Sequence, residues 1–177
     1  MNILKYLINF LNKFYNCLRE REELKNYIKQ TQKIPLDFEF KSRAYITYSN
    51  LVSLCNKYTT NFAIADNQYR TPTIKEWAYL LEKIWIKPFR WQKEIFDCDD
   101  FSIFMANRIM LFSKLKGLKY QLAFGIAWSY IHSFNCFVAW NKEFKDYDLY
   151  VFEPQNGDIF YPNNSNTYKI RRIMFIA

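Results

Sequence analysis

The segment from Phe96 to Gly117 constrains the fold of this chain most, because it carries signals for both ends of a helix and a cysteine at its start. Cys98, Phe101, Met105, Ile109, Phe112 and Leu115 recur three and four residues apart, the spacing of one buried helical face. Asp97 suits the N-cap, where a carboxylate accepts from the unpaired amides of the first turn. Asp100 puts an acid near the positive end of the helix, Lys114 and Lys116 put cations near the negative end, and Gly117 supplies the stop. A cysteine at such an N-terminus meets inward-pointing amides and a macrodipole that favours its thiolate. The spacing therefore predicts a core helix with either a nucleophile or a small apolar side chain in its first turn.

Length and composition bound the rest. A chain of 177 residues is long enough for one domain with a substantial core and no metal or disulfide staple. A hydrophobic share of 50% and an aromatic share of 20% argue against disorder. The net charge of +8 permits an anionic partner, yet Lys and Arg are scattered and form no run. Solvated charge explains that pattern, and nucleic acid is not expected as a partner. Cys17, Cys55, Cys98 and Cys136 lie far apart with no CxxC pair, which points to a reducing, cytoplasmic setting rather than a disulfide framework. No apolar run approaches the roughly 20 residues of a membrane span, and no signal-peptide pattern opens the chain.

In chain order, residues 1–33 read as an N-terminal amphipathic helix, with Ile3, Leu4, Leu7, Ile8, Leu11, Phe14 and Leu18 on one face. Packing on protein is the main reading of that face. Contact with a membrane surface, supported by Lys5, Lys13 and nearby aromatics, is the lesser one. Residues 34–177 read as a single domain. A short strand over Arg43–Tyr48 precedes a helix through Leu51, Leu54 and Cys55, and residues 59–70 read as a polar loop. Thr71-Pro72-Thr73 opens a helix that buries Trp77, Leu80, Leu81 and Ile84. After Gly117 the period changes from 3.6 to 2. Five strands follow: Tyr120–Trp128, Ile131–Trp140, Leu149–Glu153, Asp158–Tyr161 and Tyr168–Ile176, with Asn156-Gly157 as a two-residue hairpin signal. Helices first and a meander after them predict an α+β fold, with the cysteine helix packed on a mostly antiparallel sheet of about five strands.

His132 is the only histidine in the chain. Strand alternation puts it on one face with Phe134, Cys136, Val138 and Trp140, the face expected to meet the cysteine helix. Glu153 ends the following strand and can orient the imidazole. Nucleophile, base and orienting acid thus come in the order Cys98, His132, Glu153, separated by 34 and 21 residues. A metal site built on Cys98, His132 and Cys136 lacks any closely spaced ligand pair, so no metal is expected. No organic cofactor is implied either.

The succession of capped cysteine helix, strand histidine and strand-end acid with Pro154 resembles the transglutaminase-like branch of the papain-like cysteine hydrolases. The words Asp97-Cys98-Asp99-Asp100-Phe101, His132-Ser133-Phe134-Asn135 and Glu153-Pro154-Gln155 are similar to those of small viral or bacterial members. The resemblance covers residues 75–162. It implies Cys98 as nucleophile, His132 as base and Glu153 as third member, where transglutaminases usually carry Asp. Asn135 is a rival for the third role, although it should face the other side of its strand. Gln92, six residues before Cys98, matches the oxyanion-stabilising glutamine of papain relatives. Asp99 and Asp100 are candidates for binding a positively charged substrate.

The expectation is a cysteine-dependent acyl-transfer enzyme (a thiol protease, amidase or transamidase) acting on a protein, peptide or amide substrate through a thioester. The alternative is a non-catalytic binding protein on the same fold, for example a viral factor engaging a host protein. Asp97, Asp99 and Asp100 count against activation, because negative charge beside a thiol raises its pKa.

Overall fold

The computed structural model describes residues 34–85 and 97–175. Among these are eight strands and three helices. The strands are β1 (Tyr45–Thr47), β2 (Phe62–Ile64), β3 (Gln68–Arg70), β4 (Phe124–Trp128), β5 (Ser133–Asn141), β6 (Asp146–Glu153), β7 (Asp158–Phe160) and β8 (Arg172–Phe175). The helices are α1 (Tyr48–Asn56), α2 (Ile74–Ile84) and α3 (Cys98–Leu115). The N-terminal helix, Cys17 and Gln92 fall outside the described residues.

Six strands form one mixed sheet in the order β2-β8-β4-β5-β6-β7, and β1 with β3 forms a separate antiparallel ribbon. The pair β2–β8 is parallel and the other neighbours in the large sheet are antiparallel. The expected α+β fold, with a sheet of about five strands and a papain or transglutaminase-like core, is corrected here to a strand-rich fold with a six-stranded mixed sheet and a second small sheet. The two missed strands, β2 and β3, lie inside the stretch read as a polar loop. Each has three residues, too few to show a period. Each is held by partners distant in sequence, β2 by β8 and β3 by β1.

The large sheet has two covered faces. On one, Phe134, Cys136 and Val138 of β5 join Leu149, Val151, Ile173 and Phe175, and pack with Leu51, Leu54 and Cys55 of α1 and Tyr69 of β3. On the other, Phe137 of β5 and Phe124 of β4 stack at 6.4 Å, and Trp77 of α2 packs on both. The Trp77 indole donates to the Val138 carbonyl at 2.8 Å, which satisfies a buried N–H and fixes α2 on β5. Helix α3 lies on β5 and β4 on this second face. Asn135 ties it there: its fully buried amide donates to the Ser102 carbonyl at 2.9 Å and to the Gly125 carbonyl at 3.1 Å.

The helix ends follow the sequence signals. Thr73 and Glu76 form a reciprocal capping box at α2, and Asp97 and Asp100 form another at α3. Gly117 has φ 68°, the left-handed conformation that ends a helix at least cost with glycine. Of the face anticipated for α3, Phe101, Met105, Ile109 and Phe112 are buried, whereas Leu115 is 53% exposed because the helix ends at it. Between β6 and β7 the connection is a four-residue loop, Pro154 to Gly157, closed by the Gly157 amide on the Glu153 carbonyl at 2.8 Å. The Trp85 indole donates to the Pro154 carbonyl at 2.9 Å, anchoring the loop that follows Glu153.

A candidate thiol–imidazole–carboxylate site

Three elements converge at one end of the sheet. Cys98 is the first residue of α3, His132 immediately precedes β5, and Glu153 is the last residue of β6. In the sheet, Asn135 pairs with Phe152, so Glu153 lies beside Phe134. That register sets its carboxylate on the face of Phe134 and His132. His132 Nε2 and Glu153 Oε2 are 2.6 Å apart, with side-chain exposures of 14% and 4%. The same Oε2 accepts from the Tyr168 hydroxyl at 3.1 Å, and Oε1 accepts from the Gln155 amide at 3.0 Å. The imidazole packs edge-on against Tyr168, with ring centres 5.6 Å apart, and lies against Phe134 at 5.9 Å. The backbone of His132 is also fixed, its amide donating to Ser129 Oγ at 3.0 Å. A carboxylate with three donors therefore holds Nε2 of a sterically confined ring and leaves Nδ1 as the second ring nitrogen.

Cys98 lies against the start of β5. The backbone amide of Ser133, the residue after His132, points at its sulfur and favours the thiolate, as does the amide of Cys98 itself. Burial opposes them and is the largest influence, and the charges of Asp99 and Asp97 add to it, so the Cys98 pKa stands above its ordinary value of 9.0. At rest the thiol is protonated near neutral pH, and reaction requires a base to remove its proton.

The face assignment of β5 needs correction. The face of Phe134, Cys136 and Val138, expected to meet the cysteine helix, packs on α1 instead, and α3 lies on the face of Asn135 and Phe137. Cys98 meets the Ser133 amide at the start of β5, whereas His132 lies on the other face of that strand end, so the two stand at the same end of the sheet on opposite faces. Asn135 lies on the far face from His132 and has both amide hydrogens bound to carbonyls. Cys136 is fully buried with burial pushing its thiol pKa up, and among the described residues no three His, Cys, Asp or Glu side chains form a metal-binding group. Asp97 and Asp100 cap α3, while Asp99 is exposed and accepts from the Trp128 indole at 3.3 Å. Tyr168 is the site residue that the sequence did not single out. It precedes β8 in a turn, whereas the sequence reading makes it the first residue of the last strand.

No family model matches the chain, and no curated protein matches it. Solved structures do. One is the PSL1a-E64 complex, with TM-score 0.61 and 22% identity over 74% of this chain and 51% of that chain. Another is the Polyporus squamosus lectin bound to the human-type influenza-binding epitope Neu5Aca2-6Galb1-4GlcNAc, with TM-score 0.56 and 23% identity over 74% of this chain and 49% of that chain. The likeness shows a shared fold, and this chain spans about half the length of the structures it matches.

The resemblance to transglutaminase-like cysteine hydrolases is withdrawn on this finding. So is the expected acyl-transfer enzyme with a protein, peptide or amide substrate, together with its hydrolase and thiol-protease class: of the two structures, one is a lectin solved with a glycan and neither is named a hydrolase or transglutaminase. The words that carried the resemblance mark a capped helix and two strand ends, which many folds supply, and fold-level analogy from them does not establish a reaction. Among the described residues no helix is long and apolar enough to cross a membrane.

Proposed function

We propose that this chain is a binding protein whose ligand meets a nucleophilic thiol, with Cys98 as the bond-forming group, His132 as its base and Glu153 as the residue that positions the base. The observation that carries this reading is the 2.6 Å pair between His132 Nε2 and Glu153 Oε2 at the strand end that Cys98 adjoins. A donor proton held on Nε2 leaves Nδ1 as an acceptor. As Sγ bonds to an electrophilic atom of the ligand, the thiol proton passes to Nδ1 and the displaced electron pair leaves with the ligand's own leaving group or opened ring. Release and turnover are no part of the proposal.

Iodoacetamide tests it, since an S–C bond forms and iodide leaves. At pH 7, Cys98 of the native chain should label at least tenfold faster than in the unfolded chain, and His132→Ala should abolish the difference. E64 is the second probe, because PSL1a shares the fold and is solved in complex with it. It should remain on the Cys98 peptide after denaturation. Native labelling no faster than unfolded, and indifferent to His132, would remove the reading.

Sugar binding is a second reading, favoured by the glycan in the Polyporus squamosus lectin complex. An open cleft of about 440 Å3, away from Cys98, is lined by Thr73, Lys75, Trp140, Asn141, Asp148 and Tyr150. Aromatic rings beside amide and carboxylate groups are suited to a sugar. Titration with Neu5Aca2-6Galb1-4GlcNAc should give saturable binding that persists after Cys98 is alkylated and is lost in Trp140→Ala. No binding at millimolar glycan would discard it.

A further inference from the structure

We infer that the Cys98 site selects a cationic ligand and that Asp99 is the residue that sets this preference. The inference rests on the thiol site proposed above. Three carboxylates cluster at the helix start that carries the thiol, and they are not equivalent. Asp97 Oδ1 accepts from the Asp99 amide and Asp100 Oδ2 accepts from the Asp97 amide, both at 3.2 Å, so these two are committed to capping α3. Asp99 is exposed, and its Oδ1 is held by the Trp128 indole at 3.3 Å, which fixes the carboxylate at the rim instead of letting it swing into solvent.

Among the described residues, opposing charge near this rim is limited. Arg172 of β8 stacks on Trp128, with its guanidinium 5.6 Å from the ring centre, and Arg171 is drawn away onto Tyr130 at 3.8 Å. Glu153 and His132 engage each other. Among the described residues the rim beside Cys98 is therefore acidic, in a protein whose net charge is +8. The field of these acids is already felt at the sulfur, where Asp99 and Asp97 raise the thiol pKa.

A second observation points to a ligand at the same place. Ser133 is 1% exposed and its hydroxyl has no hydrogen-bond partner. It lies on the Asn135 face of β5, which meets α3. Asn135 contacts Ser102, so Ser133, two residues nearer the strand start, faces the Cys98 end of α3. A buried hydroxyl left unpaired costs free energy unless something at the site takes its hydrogen bond. The ligand class is accordingly a cation with a hydrogen-bonding group near the atom that Cys98 attacks.

Methanethiosulfonates differing only in charge provide the test. The thiolate attacks sulfur, an S–S bond forms and methanesulfinate leaves, so the chemistry is the same for every reagent. Rates at Cys98 are read by peptide mapping for the trimethylammonium-ethyl, methyl and sulfonato-ethyl reagents, and divided by the rates of a neutral cysteine peptide. The cation-to-anion ratio should be on the order of tenfold at low salt. It should fall severalfold in Asp99→Asn and toward one at high salt. Any change in thiol pKa cancels in that ratio. A corrected ratio of one or less, with fast labelling by the methyl reagent, overturns the inference and leaves the thiol site standing. Labelling by all three no faster than the peptide removes the thiol site itself. Should Asp99→Asn fail to fold, the salt dependence of the native chain decides.

Discussion

Glu153→Gln separates the positioning of His132 from the mere filling of its pocket. The native carboxylate is buried and receives three hydrogen bonds, from His132 Nε2, the Tyr168 hydroxyl and the Gln155 amide. Glutamine has nearly the same shape. The Gln155 amide demands an acceptor, so the amide oxygen takes the Oε1 position and the NH2 group takes the place of Oε2. There it can donate to the Tyr168 oxygen after the hydroxyl rotates, and to Nε2 only if the imidazole moves its proton to Nδ1. The packing survives, with a loss of about 1–3 kcal/mol for exchanging charge-assisted bonds for neutral ones. For a chain of this size that is a fall of roughly 2–4 °C in Tm per kcal/mol. The chemistry does not survive, because the nitrogen that should accept the thiol proton now carries one. Loss of a positioned base costs about 10²–10⁴ in rate, bounded below by the reaction of the free thiolate. The assay is the second-order rate of iodoacetamide at Cys98 at pH 7, beside a thermal melt of the same preparation. A variant that melts a few degrees lower but labels at the native rate would show that Glu153 serves the fold alone, and the argument from the tautomer would be wrong.

Tyr168→Phe should lower labelling of Cys98 by only severalfold, because Glu153 keeps His132 and loses one donor; a loss as large as that of Glu153→Gln would make Tyr168 a primary member of the site. Gly125→Ala should destabilise by about 1–3 kcal/mol, since a Cβ there would lie 2.6 Å from the Met174 carbonyl oxygen on the backbone of the neighbouring strand. An unchanged midpoint in urea would refute that. Burial pushes the Cys55 thiol up to about 12, against an ordinary 9.0. The folded state therefore holds this proton more tightly than the unfolded state. Its contribution is complete below pH 9 and is lost as pH rises toward 12, at about 1.4 kcal/mol per unit. Urea midpoints between pH 8 and 10.5 should decline less steeply in Cys55→Ala than in the native chain, and parallel declines would exclude this thiol as a cause.

Local signals in the chain were those that local chemistry decides. Asp97, Thr73 and Gly117 act on their own turns, so caps and stops were readable, as were the buried faces of α2 and most of α3. β2 and β3 were not, because three residues carry no period and their partners are a sheet edge and a ribbon formed by distant segments. The strand ends at Glu153 and Asp158 were readable, but the two-residue turn was not: Gly157 turns as its sequence suggests, with φ 84°, and Trp85, just past α2, anchors a four-residue loop.

The pairing of His132 with Glu153 was legible in the sequence, and the geometry of the candidate site around it was misread. Alternation groups side chains by face, but it does not say which face a helix covers; here it is the face of Asn135, which the sequence offered only as a rival for the third role of the site. Its bond to the Ser102 carbonyl holds α3 on its own face, and the His132 face is left to α1. Cys98 is left at the strand end, where the Ser133 amide, next in the chain to His132, meets the sulfur. The same arrangement explains the acids that conflicted with a reactive thiol. Asp97 and Asp100 are required to start α3 with no residues spared before Cys98, and their charge beside the thiol is the consequence. A thiol kept protonated at rest and deprotonated only by a positioned imidazole is compatible with that charge, whereas a standing thiolate would be opposed by it.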